Sequence, residues 1–244
     1  MLKQLDIAFK AKDISNVQSE LAVKIHGAVM HSIPQDKAEL MHVPRYHPFS
    51  LFTVPYENDG IFVTRLSSLS KEADCILETV QQMESINIKG IHKPVSIIKT
   101  GNIITTDLDN IANSYDGRRY RLTFLTPSGF KILGHETSFP DVSMHFLSVI
   151  NRLNEFENMN IDFDDFRKLF YELTIDDWQL KNVSYNITGR LIPGMIGHMD
   201  VFFPKESEKT RLLKRILLYA CFSGTGGRTG MGMGGFIMEK IIRR

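Results

Sequence analysis

The sequence predicts an α+β fold of two tandem ferredoxin-like domains, on three observations. Each half of the chain reads as strand, helix, strand, strand, helix, strand, the order of a split βαβ unit. The 244 residues are enough for one large or two compact domains. With 43% hydrophobic and 10% aromatic residues, each half has the side chains for an ordinary core.

The first half begins with Leu2 to Lys10, where Leu5, Ile7 and Phe9 alternate with polar residues as in a half-buried strand. Ser15 opens a helix, and Gln18 three residues later completes a capping-box pattern. Leu21, Ile25, Ala28 and Val29 form its apolar stripe and Pro34 ends it. A short helical turn, QDKAELMH, stops before Pro44. Phe49 to Val54 and Ile61 to Leu66 read as a hairpin around Glu57-Asn58-Asp59-Gly60, with Asp-Gly as the turn. A second helix runs from Ser70 to Met83, and Val95 to Lys99 is the closing strand.

The second half repeats the pattern after a junction near Asn113 to Arg119, which places the domains at 1–115 and 116–244. Tyr120 to Leu125 is a strand, and Asp141 to Leu153 is a helix carrying Phe146, Val149, Ile150 and Leu153. An acidic helical insert spans Asp162 to Leu173. Val183 to Ile192 and Met195 to Phe203 read as a hairpin turning at Pro193-Gly194. Ser207 to Cys221 is a helix, and Gly235 to Ile242 is the last strand.

The opening residues alternate apolar and polar without a secretory-type core, and no stretch of about 18 apolar residues occurs, so the expectation is a soluble, cytoplasmic protein. Cys75 and Cys221 sit in apolar surroundings and read as buried free thiols. The formal net charge of +1 hides an uneven distribution. From Lys181 to Arg244 eleven Lys and Arg face four Asp and Glu, a net +7; from Asn154 to Asp177 eight acids face two bases, a net −6. The basic C-terminal portion suits a phosphate backbone, although a lysine-rich solvated helix face has the same composition.

The most unusual segment is the loop from Phe222 to Phe236, with six glycines between Gly224 and Gly234 and Gly235 following. Glycines allow backbone N–H groups to converge on an anion and the chain to pass close to a ligand, and Arg228 adds a forked cation. A Walker loop is excluded because no Lys-Ser/Thr follows the last glycine. Gly230-x-Gly232-x-x-Gly235 matches the dinucleotide fingerprint, but the nine residues after it leave no room for the helix, strand and ribose-binding acid. One or two glycines suffice for a plain turn.

This loop, Gly224-Thr-Gly226-Gly-Arg228-Thr229-Gly230-Met-Gly232-Met-Gly234, resembles the C-terminal signature of the repeat-associated (RAMP) superfamily of CRISPR proteins. Within it the chain is most similar to the pre-crRNA-processing endoribonucleases, through LTFLTPSGFK (Leu122 to Lys131), Phe139-Pro140, Ile25-His26-Gly27, Leu40-Met41-His42 and Pro48-Phe49. The resemblance implies two RRM-like domains side by side with a central cleft, the C-terminal one holding CRISPR repeat RNA. It implies cleavage without metal or cofactor, giving a 2′,3′-cyclic phosphate and a 5′-hydroxyl, by a monomer or homodimer that docks in some cases on an effector complex.

The resemblance also implies that His42 is the catalytic histidine. Four of the eight histidines, His26, His31, His42 and His47, fall within residues 26–47. Their spacings of five, eleven and five do not form a helical i, i+4 ligand pair, and no cysteine or paired carboxylate joins them, which argues against a metal site. Metal-free scission uses the RNA's own 2′-hydroxyl as nucleophile, with imidazole as base or acid. His42 takes one of these roles. His26, one residue from the apolar stripe, is a second proton carrier or a helix histidine satisfied by the core. Tyr46 or Arg45 is placed to hydrogen-bond or neutralise the non-bridging phosphate oxygens. Family members use a tyrosine on the first helix and a lysine downstream, where this chain has Met30 and Arg45. The candidate RNA-binding residues are Gly224, Gly226, Arg228, Thr229, Gly230, Gly232 and Gly234, with Lys209 and Arg211 on the preceding helix; Lys214 and Arg215 share that helix. Two rival readings remain, a non-catalytic RAMP subunit that scaffolds guide RNA and a small-molecule enzyme with a phosphate-cradling loop.

Overall fold

The structure is a computed structural model that describes residues 1–10, 18–41, 46–56, 60–139 and 141–242. His42, Arg45, the Ser15 capping position, Pro140 and the Glu57–Asp59 turn lie outside the described residues. The chain is α+β, with two antiparallel four-stranded cores of the same topology.

The first sheet is built from β1 (Leu2–Lys10), β2 (Phe49–Tyr56), β3 (Ile61–Ser68) and β5 (Val95–Thr100), in the order β2-β3-β1-β5. A two-residue β4 (Ser85–Ile86) pairs with β5, and β6 (Ile104–Thr106) pairs with Leu2–Gln4 of β1. Leu5, Ile7 and Phe9 of β1 are fully buried, as their alternation predicts. They pack on α1 (Gln18–Ser32), whose Leu21, Ile25 and Val29 recur every four residues and are also buried. Pro34 ends that helix and caps the short α2 (Gln35–Leu40), its carbonyl accepting from Lys37 and Ala38 N–H. A 3₁₀ turn leads into α3 (Asp74–Gln81), which buries Ile76, Leu77 and Val80 on the same side of the sheet.

The second sheet has the order β10-β11-β7-β12, the same second-third-first-fourth permutation. Its strands are β7 (Arg119–Ser128), β10 (Thr174–Ile187), β11 (Arg190–Phe202) and β12 (Phe236–Lys240). Before β7 lies α4 (Leu108–Ser114), capped by the Asp107 side chain, a helix the sequence reading lacks; it runs into the start of the expected junction at Asn113. After β7 comes a small hairpin, β8 (Phe130–Ile132) with β9 (His135–Thr137), for which the sequence gives no signal beyond the Phe-Lys element. The helical layer holds α5 (Leu147–Phe156), α6 (Phe163–Phe170) and α7 (Glu208–Ser223). Asp162 caps α6, and a reciprocal Ser207–Thr210 capping box opens α7. Phe166, Phe170 and Phe203 are core residues, whereas Trp178 is exposed on the edge strand β10.

The long hairpin corrects the sequence reading. Its turn is at Thr188-Gly189, both with positive φ, and Asn186 Oδ1 accepts from Gly189 N–H. Pro193-Gly194 lies inside β11, opposite Ser184 and Val183. β7 pairs with β11 only as far as Met195, so Pro193 sits on a two-stranded ribbon beyond the sheet, where a missing donor is tolerated.

The two halves meet along the end of α7 and the glycine-rich loop. Gln4 Nε2 donates to the Cys221 carbonyl (3.3 Å), and the Ser50 hydroxyl donates to that of Phe222. The ribbon tip adds a third apolar cluster, with Tyr185, Ile187, Ile192 and Met233 packed against Val23 of α1. Cys75 and Cys221 are free but half-buried, and burial pushes the Cys221 thiol up to about 12. No helix among the described residues is long and apolar enough to cross a membrane.

Candidate active site and nucleic-acid interface

A cleft of ≈ 440 Å³ opens where Tyr46 faces the β8–β9 hairpin, the start of α5 and the glycine-rich loop. Tyr46, Lys131, Glu136, Ser148, Asn151, Gly226, Gly227 and Arg228 line it. It therefore joins Tyr46 with two of the loop residues the sequence singles out. Met41 is fully buried, and His47 Nδ1–H donates to its carbonyl (3.1 Å).

The loop does less of what its glycines suggest and more of something else. Several of its backbone donors are already used within the protein. Thr225 N–H donates to Gly234 O, Gly226 N–H to His145 O, Gly227 N–H to Gly129 O and Gly234 N–H to Pro127 O, all between 2.7 and 2.9 Å. Gly224, Gly226, Gly230, Gly232 and Gly234 are buried, as are Thr225 and Thr229. The reason for the small residues is close packing, against the loop's own half at Gly224, Gly226 and Gly234 and against the N-terminal half at Gly230 and Gly232. A Cβ on Gly230 would meet the Phe49 ring at 3.0 Å, and one on Gly232 would fall within contact of Tyr185 Oη and the Ala22 methyl. Of this run, Gly227, Arg228 and Met231 are the partly exposed residues.

Beneath the loop a polar chain fixes its start. The Thr225 hydroxyl donates to Ser128 Oγ (2.9 Å), Ser128 donates to His145 Nδ1 (2.8 Å), and His145 Nε2–H donates to the Ser138 carbonyl (3.0 Å). Burial drives the His145 imidazole down to about 4, so it is neutral at physiological pH and serves as a structural strut.

Arg228, in the left-handed region (φ 57), reaches over the cleft wall to Glu136 in a bidentate pair of 2.6 and 3.1 Å. Those bonds hold the Glu136 carboxyl below its usual range. Lys131 and Arg190 approach the same carboxylate more loosely, at 3.5 and 3.8 Å. The sequence marks Lys131 only as part of the Phe-Lys element and gives no signal for Glu136, Arg190 or Asn151.

The remaining candidates lie elsewhere. The His26 ring, half-buried on α1, stacks on Phe49 (5.8 Å between centroids, 11° between planes) and is not part of the cleft lining. Phe49 stands between it and Gly230. Lys209 and Arg211 sit in the first turn of α7, about 20 Å along the helix from the loop at its other end. Arg211 pairs with Glu206 (3.5 Å) and Arg215 with Asp109, so acids offset much of that basic face. Lys214 is buried, donating to Glu206 (3.1 Å) and lying over the Tyr120 and Phe203 rings.

The faces of both sheets turned away from their helices carry a central cross-strand ion pair where an RRM would stack bases. Arg65 binds Asp6 bidentately (2.8 and 2.8 Å) across β1 and β3, and Arg121 binds Asp200 (2.6 and 2.8 Å) across β7 and β11. These central positions offer no aromatic platform.

A family model described as CRISPR-associated endoribonuclease Cas6 matches residues 122–236, the span from β7 through the whole glycine-rich loop. The chain is similar to the Cas6 endoribonucleases. One such protein from Streptococcus thermophilus is 26% identical over 240 residues, covering 96% of this chain and 98% of its own. Among solved structures, a Cas6 product complex superposes with a TM-score of 0.77 at 18% identity, over 98% of this chain and 99% of that one. A structure titled a RAMP protein binding different RNA substrates superposes at 0.63 and 15% identity, over 98% of this chain and 100% of that one. The Cas6 resemblance read from the sequence is borne out, and the structural matches agree with a tandem ferredoxin-like fold.

Proposed function

We propose that this chain is an endoribonuclease that cuts CRISPR precursor RNA within its repeats, and that the cleft beside Tyr46 is where it cuts. The observation that carries this reading is that Tyr46 and Arg228, 182 positions apart, line one cleft together with a second basic residue, Lys131. The Cas6 similarity supports it. Residues 1–115 would form the domain that presents the catalytic segment, and 116–244 the domain that receives the RNA.

In this reading His42, four residues before Tyr46 and next to the anchored Met41, is the general base or acid. The 2′-hydroxyl gives up its proton, its oxygen attacks the adjacent phosphorus, and the 5′-oxygen leaves with a proton supplied by an acid. The products are a 2′,3′-cyclic phosphate and a 5′-hydroxyl, and no metal takes part. Tyr46 donates a hydrogen bond to a non-bridging oxygen as charge builds on the phosphorane. His26, behind the Phe49 ring, would serve by holding that ring against the loop rather than by moving a proton.

The test is cleavage, with EDTA present, of a synthetic transcript carrying the repeat of the host's own array, by wild type and His42→Ala. Cutting at one position by wild type alone, with a cyclic phosphate end, is the expected result. Binding without cutting by wild type would instead favour a guide-RNA scaffold.

A further inference from the structure

Four cations surround the cleft or lie directly behind it, against a single carboxylate. Arg228 is committed to Glu136 by two short bonds and is 24% exposed. Lys131 and Arg190 touch the same carboxylate only at 3.5 and 3.8 Å, and their side chains are 57% and 67% exposed. One carboxylate cannot neutralise three cations, so the group carries a formal excess of two positive charges. Lys131, at the cleft lining, comes from β8, and Arg190 from the start of β11; both are fixed to the cleft wall through Glu136 of β9.

A second, independent feature lies beneath. Arg152, on α5 one turn beyond the cleft-lining Ser148, is 4% exposed and forms no ion pair with a described residue. Its Nη1 donates to the Ser223 carbonyl (3.3 Å), while its Nε and the Ser148 hydroxyl are buried with no hydrogen-bond partner among the described residues. A buried guanidinium without a carboxylate is costly and is ordinarily offset by an anion.

We propose that Lys131 and Arg190 form a phosphate subsite for RNA in this cleft, with the buried Arg152 adding an uncompensated positive field, while Arg228 serves mainly to hold Glu136 in place. This rests on reading the cleft as an RNA site and shifts the phosphate grip from the glycine-rich loop to the neighbouring hairpin and ribbon. Long flexible side chains that hold Glu136 loosely exchange it for a phosphodiester at little cost, which the bidentate Arg228 does not.

The experiment measures binding of the host repeat RNA with a 2′-deoxy nucleotide at the scissile position, so that attack is blocked, between 50 and 300 mM salt. Wild type is compared with the Lys131→Gln/Arg190→Gln double variant, whose melting temperature is checked first; both changes are on exposed side chains. Loss of two phosphate contacts lowers the slope of log affinity against log salt by about 1.4, and weakens binding on the order of tenfold at 0.1 M salt. An unchanged slope and affinity overturn the subsite, as does failure of wild type to bind. The all-ribose RNA is tested alongside. If wild type binds but does not cut while the variant loses slope, the subsite stands and the nuclease reading falls. If wild type cuts while the variant binds and cuts equally, the reverse holds.

Discussion

Replacing Gly232 by alanine tests why the loop is rich in glycine. Gly232 has φ 97, a conformation that costs a side-chain-bearing residue about 1–2 kcal/mol. Its new methyl would also overlap the Tyr185 hydroxyl and the Ala22 methyl, one on the ribbon tip and one on α1, and overpacking a tight site costs about 1–3 kcal/mol. Together these predict about 2–5 kcal/mol of destabilisation, roughly a 10 °C drop in melting temperature for a chain of this size. Gly227, five residues earlier, is the control. The nearest atom to its added Cβ is 3.9 Å away and its φ is not positive, so Gly227→Ala should shift stability by less than about 0.5 kcal/mol. The assay is thermal and urea unfolding of both variants beside wild type. If Gly232→Ala is as stable as wild type but loses RNA binding, the glycines serve the ligand directly and the packing argument is refuted.

Two further perturbations follow from buried polar groups. Because burial depresses His145 to about 4, the unfolded chain binds a proton that the folded chain refuses between roughly pH 6.5 and 4; His145's contribution to stability is fully present above that window and is lost as pH falls through it, by about 2 kcal/mol between pH 7 and 5. Urea titrations at the two pH values should show this loss, and His145→Gln should flatten it; an equal slope in the variant contradicts the assignment. Lys214→Met keeps the volume packed on Tyr120 and Phe203 while removing a buried charge, so unfolding free energy should stay within about 1 kcal/mol of wild type; a larger loss would show that its bond to Glu206 carries net stability.

Element order was the most legible part of the sequence, because apolar periodicity records which face of each strand or helix is buried. Leu5, Ile7 and Phe9, and Leu21, Ile25 and Val29, sit where their spacing requires. The ribbon turn was misread because Pro193-Gly194 is a strong local signal. Only the end of β7 pairing at Met195, a long-range fact, makes a proline harmless there. The loop teaches a related lesson. Glycine density reports that something approaches the backbone closely, but not whether it is a ligand or the chain itself. Here Phe49, Ala22 and Tyr185 approach it. The β8–β9 hairpin and the convergence of Lys131, Arg190 and Arg228 on Glu136 had no local signature, since three-residue strands carry no period and the ion pairs span up to 92 positions. Tyr46 was legible from the sequence, and the structure puts it in the cleft with Arg228.

The most direct test of the cleft as the reaction centre is photocrosslinking with repeat RNA that carries a photoactivatable nucleotide on each side of a 2′-deoxy-blocked scissile bond, with the attached peptides mapped by mass spectrometry. The account predicts adducts within residues 42–46, 129–131 and 226–228. Adducts concentrated on the sheet faces around Arg65 or Arg121, with none at the cleft, would contradict it.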